Sequence, residues 1–318
     1  MKPTIFLALI LTALCGYLYF VELPAREAKK SAEAKKSTLF SFAESDIVEL
    51  MITQSGQAVG QAISLVQILG HKETPWKIAE PIDAVADSGI ASSFAGLLAN
   101  LKIVRMVDAH PEGLMPFGLN PPLYSVRMLL KGLDSDLLEV GADGLSDNTV
   151  YARVGNAVYL IDGAIKTYLA KSLTEWRRQE LFQFAVSDIT AIRMEGRGEN
   201  IALTKKGEAW FMNADNADPD RVAGFLGVLS SLRGEEFIDQ DKAEKRSALG
   251  TPFLRINISE GKILYEGAFY AVESDPAFIY AVTTPNAPIY KISEKRFEEI
   301  HKPAAYFKKD FLPDVSAF

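Results

Sequence analysis

The side chains that most often carry chemistry are few and widely spaced in this chain. It has three histidines and one cysteine in 318 residues. His71, His110 and His301 lie far apart, and none belongs to a metal-binding pattern such as H-E-x-x-H, so we interpret them as loop or surface residues. A single thiol can form neither a four-thiolate zinc site nor an internal disulfide. The sequence therefore predicts no metal and no cofactor.

Motifs for phosphates and for nucleophiles are also missing. The GRG run at residues 196–198 begins like a dinucleotide-binding loop, but the third glycine of that motif is absent, so we predict a turn between strands. The chain contains no P-loop and no G-x-S-x-G motif. These absences exclude the commonest nucleotide-binding and nucleophile signatures.

Acidic pairs leave one route to catalysis, because glycoside hydrolases place two carboxylates on either side of a sugar. The closest acidic groupings are Asp134 with Asp136, Asp143 with Asp147, and Glu235 with Glu236. The first two pairs lie among turn residues and the third follows an expected helix, so we interpret all three as solvated. We predict that the protein is not an enzyme. The alternative is an envelope hydrolase that acts on a glycan or a peptide through carboxylates that the sequence does not place.

Charge and length limit the partners and the domain count. The chain has 34 basic and 41 acidic side chains, a formal net charge of -7, which is the wrong sign for a protein that neutralises phosphate backbones. We therefore predict no nucleic-acid partner. A hydrophobic content of 48% supports real cores, and the length fits about two ordinary domains.

The N-terminal segment predicts a membrane anchor. Residues 4–21, TIFLALILTALCGYLYFV, contain no charged side chain. As a helix they would reach about 27 Å, close to the roughly 30 Å apolar thickness of a bilayer, so we predict a transmembrane helix within residues 1–25. A cleaved signal peptide is the alternative. Residues 26–38 are rich in Ala, Glu and Lys and predict a solvated spacer.

Two observations on membrane orientation conflict. Lysines and arginines after the span outnumber those before it, which favours a cytoplasmic body. We nevertheless expect an extracytoplasmic, periplasmic body, because the span resembles an uncleaved signal sequence and residues 16–318 contain no cysteine. The expected localisation is the bacterial inner membrane with a single pass, and the lipid bilayer is an expected partner.

The body of the chain is an internal duplication. LFSFAESDIVEL at residues 39–50 returns as LFQFAVSDITAI at residues 181–192, and seven of the twelve positions are identical. Later matches follow in the same order, with Trp76 aligned to Trp210 and Trp176 aligned to Tyr306. We predict two tandem modules, at residues 39–180 and 181–318.

Each module reads as α+β. Asp87 or Ser88 can cap a helix in the first copy, and Asp218 followed by Pro219 can start one in the second. A second helix is expected near residues 164–172 and 294–301, and short alternating segments around the helices, such as residues 124–130 and 150–154, predict strands. The fold class is therefore a transmembrane helix followed by two copies of a mostly antiparallel sheet, each with two helices on one face.

Two tryptophans occupy equivalent places in the copies, and they have two interpretations. Trp76 and Trp210 are either core residues of each module or, together with Pro81, part of a binding groove. Duplicated modules could also leave a cleft between them for a peptide, a glycan or a protein loop. Both interpretations stay open at this point.

The motifs resemble those of a known family. They are LF-x-F-x-x-x-DI at residues 39–47, W-K-I-x-x-P at residues 76–81, Asp87, and F-G-L-x-x-P at residues 117–122. In this the chain resembles the domain of unknown function 4340 family. The resemblance implies a bacterial membrane-anchored protein that accompanies export-type or gliding-type ABC transporter components, with no catalytic residues to transfer. We therefore expect a non-catalytic binding or accessory protein of the cell envelope, with a membrane or envelope protein as its partner.

Overall fold

The computed structural model describes residues 38–309 except 57–60, 69, 71–74, 133–134, 197, 214 and 285–286. The chain divides into two compact units, unit 1 up to Arg177 and unit 2 from Arg178. In the described part, no helix is long and apolar enough to cross a membrane. The predicted anchor at residues 1–25 and residues 26–37 of the predicted spacer lie outside the described residues.

Unit 1 is built on one antiparallel sheet, with nine strands in the part that the structure describes. The strands are β1 (Ile47–Gln54), β2 (Ile63–Gln67), β3 (Trp76–Glu80), β4 (Ala84–Val85), β5 (Ile103–Asp108), β6 (Tyr124–Leu130), β7 (Ser135–Asp143), β8 (Thr149–Val154) and β9 (Ala157–Asp162). Their order across the sheet is β4-β3-β2-β1-β6-β7-β8-β9-β5. Alternation along the strands buries one face, and β1 contributes Leu50 and Ile52 to the core.

Three α-helices accompany this sheet: α1 (Ser88–Ala99), α2 (Ile165–Leu169) and α3 (Leu173–Trp176). Asp87 is the N-cap of helix α1, and its carboxylate accepts a hydrogen bond from the Ile90 N–H at 2.9 Å. Its apolar stripe is buried against the sheet, and the Phe94 ring lies 5.5 Å from the ring of Trp176. The predicted cap is thereby confirmed, and Asp87 rather than Ser88 provides it.

Unit 2 repeats the architecture, again with nine strands among its described residues. They are β10 (Ala191–Gly196), β11 (Glu199–Lys206), β12 (Ala209–Met212), β13 (Asp215–Asn216), β14 (Glu236–Ile238), β15 (Leu254–Glu260), β16 (Ile263–Ala271), β17 (Phe278–Val282) and β18 (Ile289–Ser293). The described helices are α4 (Pro219–Ser230), α5 (Lys242–Ala248) and α6 (Glu294–Ile300). Asp218 caps α4 and Pro219 is its first residue, as predicted.

The two sheets have the same topology. The order in unit 2 is β13-β12-β11-β10-β15-β16-β17-β18-β14, which is the order of unit 1 with nine added to each strand number. Matching backbone hydrogen bonds join matching positions: Leu39 N–H donates to the Leu101 carbonyl at 2.7 Å, and Leu181 N–H to that of Leu232 at 3.0 Å. The predicted duplication of an antiparallel α+β module is therefore confirmed.

The end of the alignment needs a correction of one residue. Asp87 N–H donates to the Trp176 carbonyl, and the equivalent Asp218 N–H donates to that of Phe307. Trp176 therefore corresponds to Phe307 and not to Tyr306. Both side chains are fully buried, so the shared position is a core position that either aromatic ring can fill.

The predicted helix count was also incomplete, because each unit has three described helices and not two. Helices α2 and α6 lie where helices were expected. Helix α3 is a single turn held by a capping box between Ser172 and Glu175, and it is too short to show a helical period. Helix α5 has no buried residue and therefore has no apolar stripe in the sequence.

Candidate functional site

The two tryptophans predicted for a groove lie in the cores of different units, and Pro81 does not lie in a core. Trp76 on β3 is 1% exposed, and its indole Nε1 donates a hydrogen bond to Ser92 Oγ at 3.0 Å. Trp210 on β12 is 6% exposed and belongs to the core of unit 2. Pro81 follows β3 and is exposed. Each indole therefore packs within its own unit.

The acidic side chains of the predicted pairs lie in different surroundings wherever the structure describes them. Asp134 lies outside the described residues, and Asp143 forms an exposed ion pair with Lys166 at 2.5 Å. Asp147 is exposed in a turn, and Glu235 accepts a hydrogen bond from Ser293 Oγ at 2.6 Å. Among the described residues there is no group of three or more His, Cys, Asp or Glu side chains that could hold a metal ion.

A polar cluster on one surface of unit 2 does bring two carboxylates together. Lys291 Nζ lies 2.6 Å from a Glu236 oxygen and 2.8 Å from an Asp275 oxygen, and the Tyr280 hydroxyl donates to Asp275 at 2.8 Å. Burial alone would lower the pKa of Lys291, but its hydrogen bonds to Asp275 and Glu236 outweigh this and raise it.

The same contacts decide what this cluster can do. The hydrogen bond from Lys291, followed by that from Tyr280, lowers the pKa of Asp275. A hydrolytic acid needs a raised pKa so that it carries a proton at neutral pH. Asp275 has the opposite shift and does not suit that role; the contacts of the cluster are those of an ion-pair network in which one ammonium group faces two carboxylates.

A cavity of about 410 Å³ is the candidate site, and it lies within unit 2. Its lining residues are Met194, Gly196, Glu199, Ile201, Leu254, Ile300, His301, Lys302 and Pro303. They come from the adjoining ends of β10, β11 and β15 and from the segment that leaves α6. The volume falls within the range of small-molecule sites.

The floor of the cavity is apolar because of strand register. Met194 on β10 pairs with Ile201 on β11, and Gly196 pairs with Leu254 on β15. Side chains two residues apart on a strand share a face, so Met194 points to the face on which Leu254 and Ile201 also lie. Ile300 at the end of α6 completes the apolar lining.

Gly196 allows two strands to approach each other at the cavity. Its φ is +144°, and a Cβ atom at this position would lie 2.1 Å from the Phe253 carbonyl oxygen. A side chain here would therefore meet backbone in a conformation that L residues rarely adopt. The predicted turn at residues 196–198 is confirmed as the hairpin connection between β10 and β11, although Arg197 lies outside the described residues.

Two polar side chains stand at one side of the cavity and are held in place. Glu199 accepts a hydrogen bond from the Ala304 N–H at 2.9 Å, which links β11 to the segment after α6. The His301 ring stacks on Phe297 with centroids 5.9 Å apart, and its Nδ1 lies 3.5 Å from a Glu298 oxygen. Backbone binding by Glu199 satisfies one of its oxygens.

Lys302 differs from its counterpart in unit 1. Lys171 and Lys302 each lie five residues before the equivalent Trp176 and Phe307. Lys171 forms an ion pair with Glu175 at 3.4 Å. In unit 2 the position of Glu175 is taken by Tyr306, and Lys302 Nζ lies 5.6 Å from the centroid of that ring. Within the described residues, no carboxylate forms an ion pair with Lys302.

The strand positions of the cavity also differ between the copies. Gln54 pairs with Tyr124 in unit 1 where Gly196 pairs with Leu254 in unit 2. Tyr124 packs against the core of unit 1. The core positions are thus shared by the two copies, whereas several cavity positions are not.

Sequence reasoning missed this site because its residues come from four separated segments. It placed His301 in a loop or at the surface, Gly196 in a turn and Leu254 in a strand, and it gave Lys302 no role. One signal was available: the Lys171–Glu175 pair of the first copy has no acidic equivalent in the second. A comparison of the copies for lost ion pairs would have found Lys302.

The fold and the cavity define a class of structure, a tandem duplicate of an antiparallel α+β unit with a cavity in the second copy. The chain belongs to the family described as Domain of unknown function (DUF4340), whose family model matches residues 76–252. This confirms the resemblance seen in the sequence motifs. Neither the curated proteins nor the solved structures include a significant match to the chain.

Proposed function

We propose that this protein is a membrane-anchored, non-catalytic binding component of the cell envelope that serves as an accessory part of an ABC-type transport or gliding-type complex. The observation that carries the binding role is the cavity of unit 2, which combines an apolar floor with three polar side chains at its edge. Ligand sites are commonly built in this way, with few polar groups that fix orientation.

The duplication supports a binding role for the cavity. A position that serves only the fold should be filled alike in both copies, as the buried aromatic positions Trp176 and Phe307 are. The residues of unit 1 that are equivalent to Gly196 and Leu254 are larger, and Lys302 lacks the ion pair that Lys171 forms. The fold of unit 1 forms without these features, so the architecture that the two copies share does not require them.

The envelope location rests on the sequence. An uncharged run at residues 4–21 is long enough to span a bilayer, and the charged segment after it would separate the body from the membrane surface. The family resemblance is the source of the proposed association with transporter components.

Affinity purification of the full chain from gently solubilised membranes tests this function. We expect a membrane or envelope protein to be recovered with it. The matched control carries residues 1–38 on an unrelated domain, so that partners bound through the anchor alone are recognised. Recovery of the full chain alone, or of the same proteins with the control, would contradict the proposal.

Membrane topology has its own test. A reporter that is active only outside the cytoplasm, fused to the C-terminus, should be active, and a reporter that is active only in the cytoplasm should be silent. The reverse result would place the body in the cytoplasm and overturn the proposed location.

A further inference from the structure

We infer that the cavity of unit 2 binds a single alkyl chain that ends in a carboxylate, such as a fatty acid. The inference rests on the proposed function, because it takes the cavity to be a ligand site and specifies the ligand. Three features of the molecule support it: the apolar floor, the full pairing of the strands beneath it, and an ammonium group at the edge.

The size of the cavity suits a chain of moderate length. A methylene group occupies about as much space as a water molecule, roughly 30 Å³, so about 410 Å³ has room for a chain of about ten carbons with its head group. Five apolar side chains line this space: Met194, Ile201, Leu254, Ile300 and Pro303. Burial of each methylene group against such a lining favours binding.

Strand pairing argues against an extended peptide in the same place. Strand β10 is paired on both sides, by β11 and β15, and these strands are paired in turn by β12 and β16. A peptide that added itself as a strand would need an unpaired edge. An alkyl chain has no backbone groups to satisfy, so it can lie over these strands at no hydrogen-bonding cost.

The charges at the edge select the head group. The Lys302 ammonium lies over the Tyr306 ring, and no described carboxylate forms an ion pair with it, whereas Lys171 in unit 1 has Glu175. The Glu199 carboxylate is already bound by the Ala304 N–H. A ligand carboxylate would therefore gain a charge-assisted hydrogen bond from Lys302. Glu199 would oppose that ligand, because like charges repel.

Photolabelling of the full chain tests the inference. The probe is a decanoic acid with a diazirine on its chain, and the protein is held in digitonin, a steroid glycoside that has neither an alkyl tail nor a carboxylate to compete. Labelled peptides are mapped by mass spectrometry. We expect saturable labelling of the peptides that contain Leu254 and Lys302, displaced by unlabelled decanoate.

Competitors identify the chain and the head group. Decanoate should compete at least tenfold better than hexanoate, because four fewer methylene groups are buried. It should also compete at least tenfold better than decyltrimethylammonium, which places a cation beside Lys302. Decyl phosphate separates a carboxylate ligand from a phosphate head group, and we expect it to compete less well than decanoate. Equal competition by hexanoate or by the cation, or better competition by decyl phosphate, would overturn the inference.

Two substitutions have opposite expected effects, which a merely structural role would not produce. Lys302→Gln should weaken decanoate binding about five- to tenfold, whereas Glu199→Gln keeps an acceptor for Ala304 and should strengthen it. Lys171→Gln, the matched change in unit 1, should leave binding unchanged. Equal binding by the wild type and Lys302→Gln would refute the inference.

A filled cavity gives a further check. Leu254→Trp should abolish labelling because the larger side chain occupies the cavity. If the tryptophan prevents unit 2 from folding, the result for Lys302→Gln still decides the test. Protection of the labelled peptides by a co-purified protein partner instead of decanoate would also overturn the inference. In that event the proposed binding function would stand, because a partner would have been recovered and would occupy the cavity.

Discussion

Substitution of Gly196 by alanine should destabilise unit 2 strongly and leave unit 1 unchanged. The glycine ends β10 at the edge of the cavity, where its backbone has a φ of +144°. A Cβ atom would lie 2.1 Å from the Phe253 carbonyl oxygen, closer than carbon and oxygen atoms can approach. Strands β10 and β15 must therefore separate, or the chain must adopt another conformation at this residue.

Two costs set the size of the effect. A non-glycine residue in such a backbone conformation costs about 1–3 kcal/mol. Overpacking against backbone that cannot move freely adds about 1–3 kcal/mol. We therefore expect the free energy of unfolding of unit 2 to fall by about 2–6 kcal/mol.

Hydrogen exchange with mass spectrometry measures this change in the full chain, because it reports on the two units separately. A loss of about 2 kcal/mol corresponds to roughly 30-fold faster exchange of protected amides, since every 1.4 kcal/mol is tenfold. The amides of β10 and β15 should show at least this acceleration. The amides of β1 and β6 in unit 1 should exchange as in the wild type.

Gly224→Ala is the matched control. Gly224 lies within α4 and is exposed, and a Cβ atom there would meet no atom within 4 Å. Alanine should stabilise the helix by about 0.5–1 kcal/mol. If the β10 and β15 amides of Gly196→Ala exchanged at the wild-type rate or more slowly, as expected for Gly224→Ala, the inference that β10 and β15 approach closely at the cavity would be wrong.

The same hydrogen-exchange experiment measures how three other groups of side chains stabilise the units. Lys291→Met should lower the stability of β17 and β18 by about 1 kcal/mol, through the lost contact with the Phe278 ring at 4.2 Å and the lost ion pairs, and unchanged exchange would contradict this. The pKa of Asp275 is lowered in the folded state, so its contribution to the stability of unit 2 is present above the unfolded pKa of about 3.9 and is lost as the pH falls through the lower folded pKa. Protection of the β17 amides from exchange should therefore stay level from about pH 5 to 8 and fall in acid. The fall should be smaller in Asp275→Asn. Asp87→Ala and Asp218→Ala should each destabilise their own unit by about 1 kcal/mol, and an effect in the other unit would argue against local capping.

The architecture could be predicted from the sequence because each copy provided independent evidence for the same elements. The start of the helix after Asp87 was supported by Asp218 and Pro219, which lie at the equivalent place in the second copy. The repeat at residues 39–50 and 181–192 required both halves to adopt one topology, and the sheets have that topology. Strands with clear alternation, such as β6 and β8, lie where they were expected.

Elements without alternation were missed for a physical reason. Strand β5 is an edge strand whose pairing with β9 contains two register shifts, so exposed and half-buried residues follow each other without a period of two. Strand β7 contains Gly141 and begins and ends among the aspartates that the sequence placed in turns. Patterns of two-residue period cannot show such strands.

The cavity could not be predicted from spacing, because tertiary structure assembles it. Gly196, Leu254 and Lys302 are far apart in the chain and meet only through the pairing of β10 with β15 and the return of the chain after α6. Each residue has an ordinary local explanation when it is considered alone. Only the comparison of equivalent positions in the two copies distinguishes them.

That comparison also gives the most direct test of whether the cavity arose from folding or from binding. Tyr306→Glu would restore in unit 2 the acidic residue that Glu175 supplies in unit 1, four residues after the lysine. An ion pair at this spacing contributes about 0.3–0.5 kcal/mol, whereas the lost contacts of the Tyr306 ring with Phe307 and Arg221 cost stability, so hydrogen exchange in unit 2 should become no slower. The new carboxylate would neutralise Lys302, and decanoate labelling should fall about as far as in Lys302→Gln. If exchange slowed strongly and labelling were unchanged, the missing ion pair would be a defect of the fold, and Lys302 would have no part in binding.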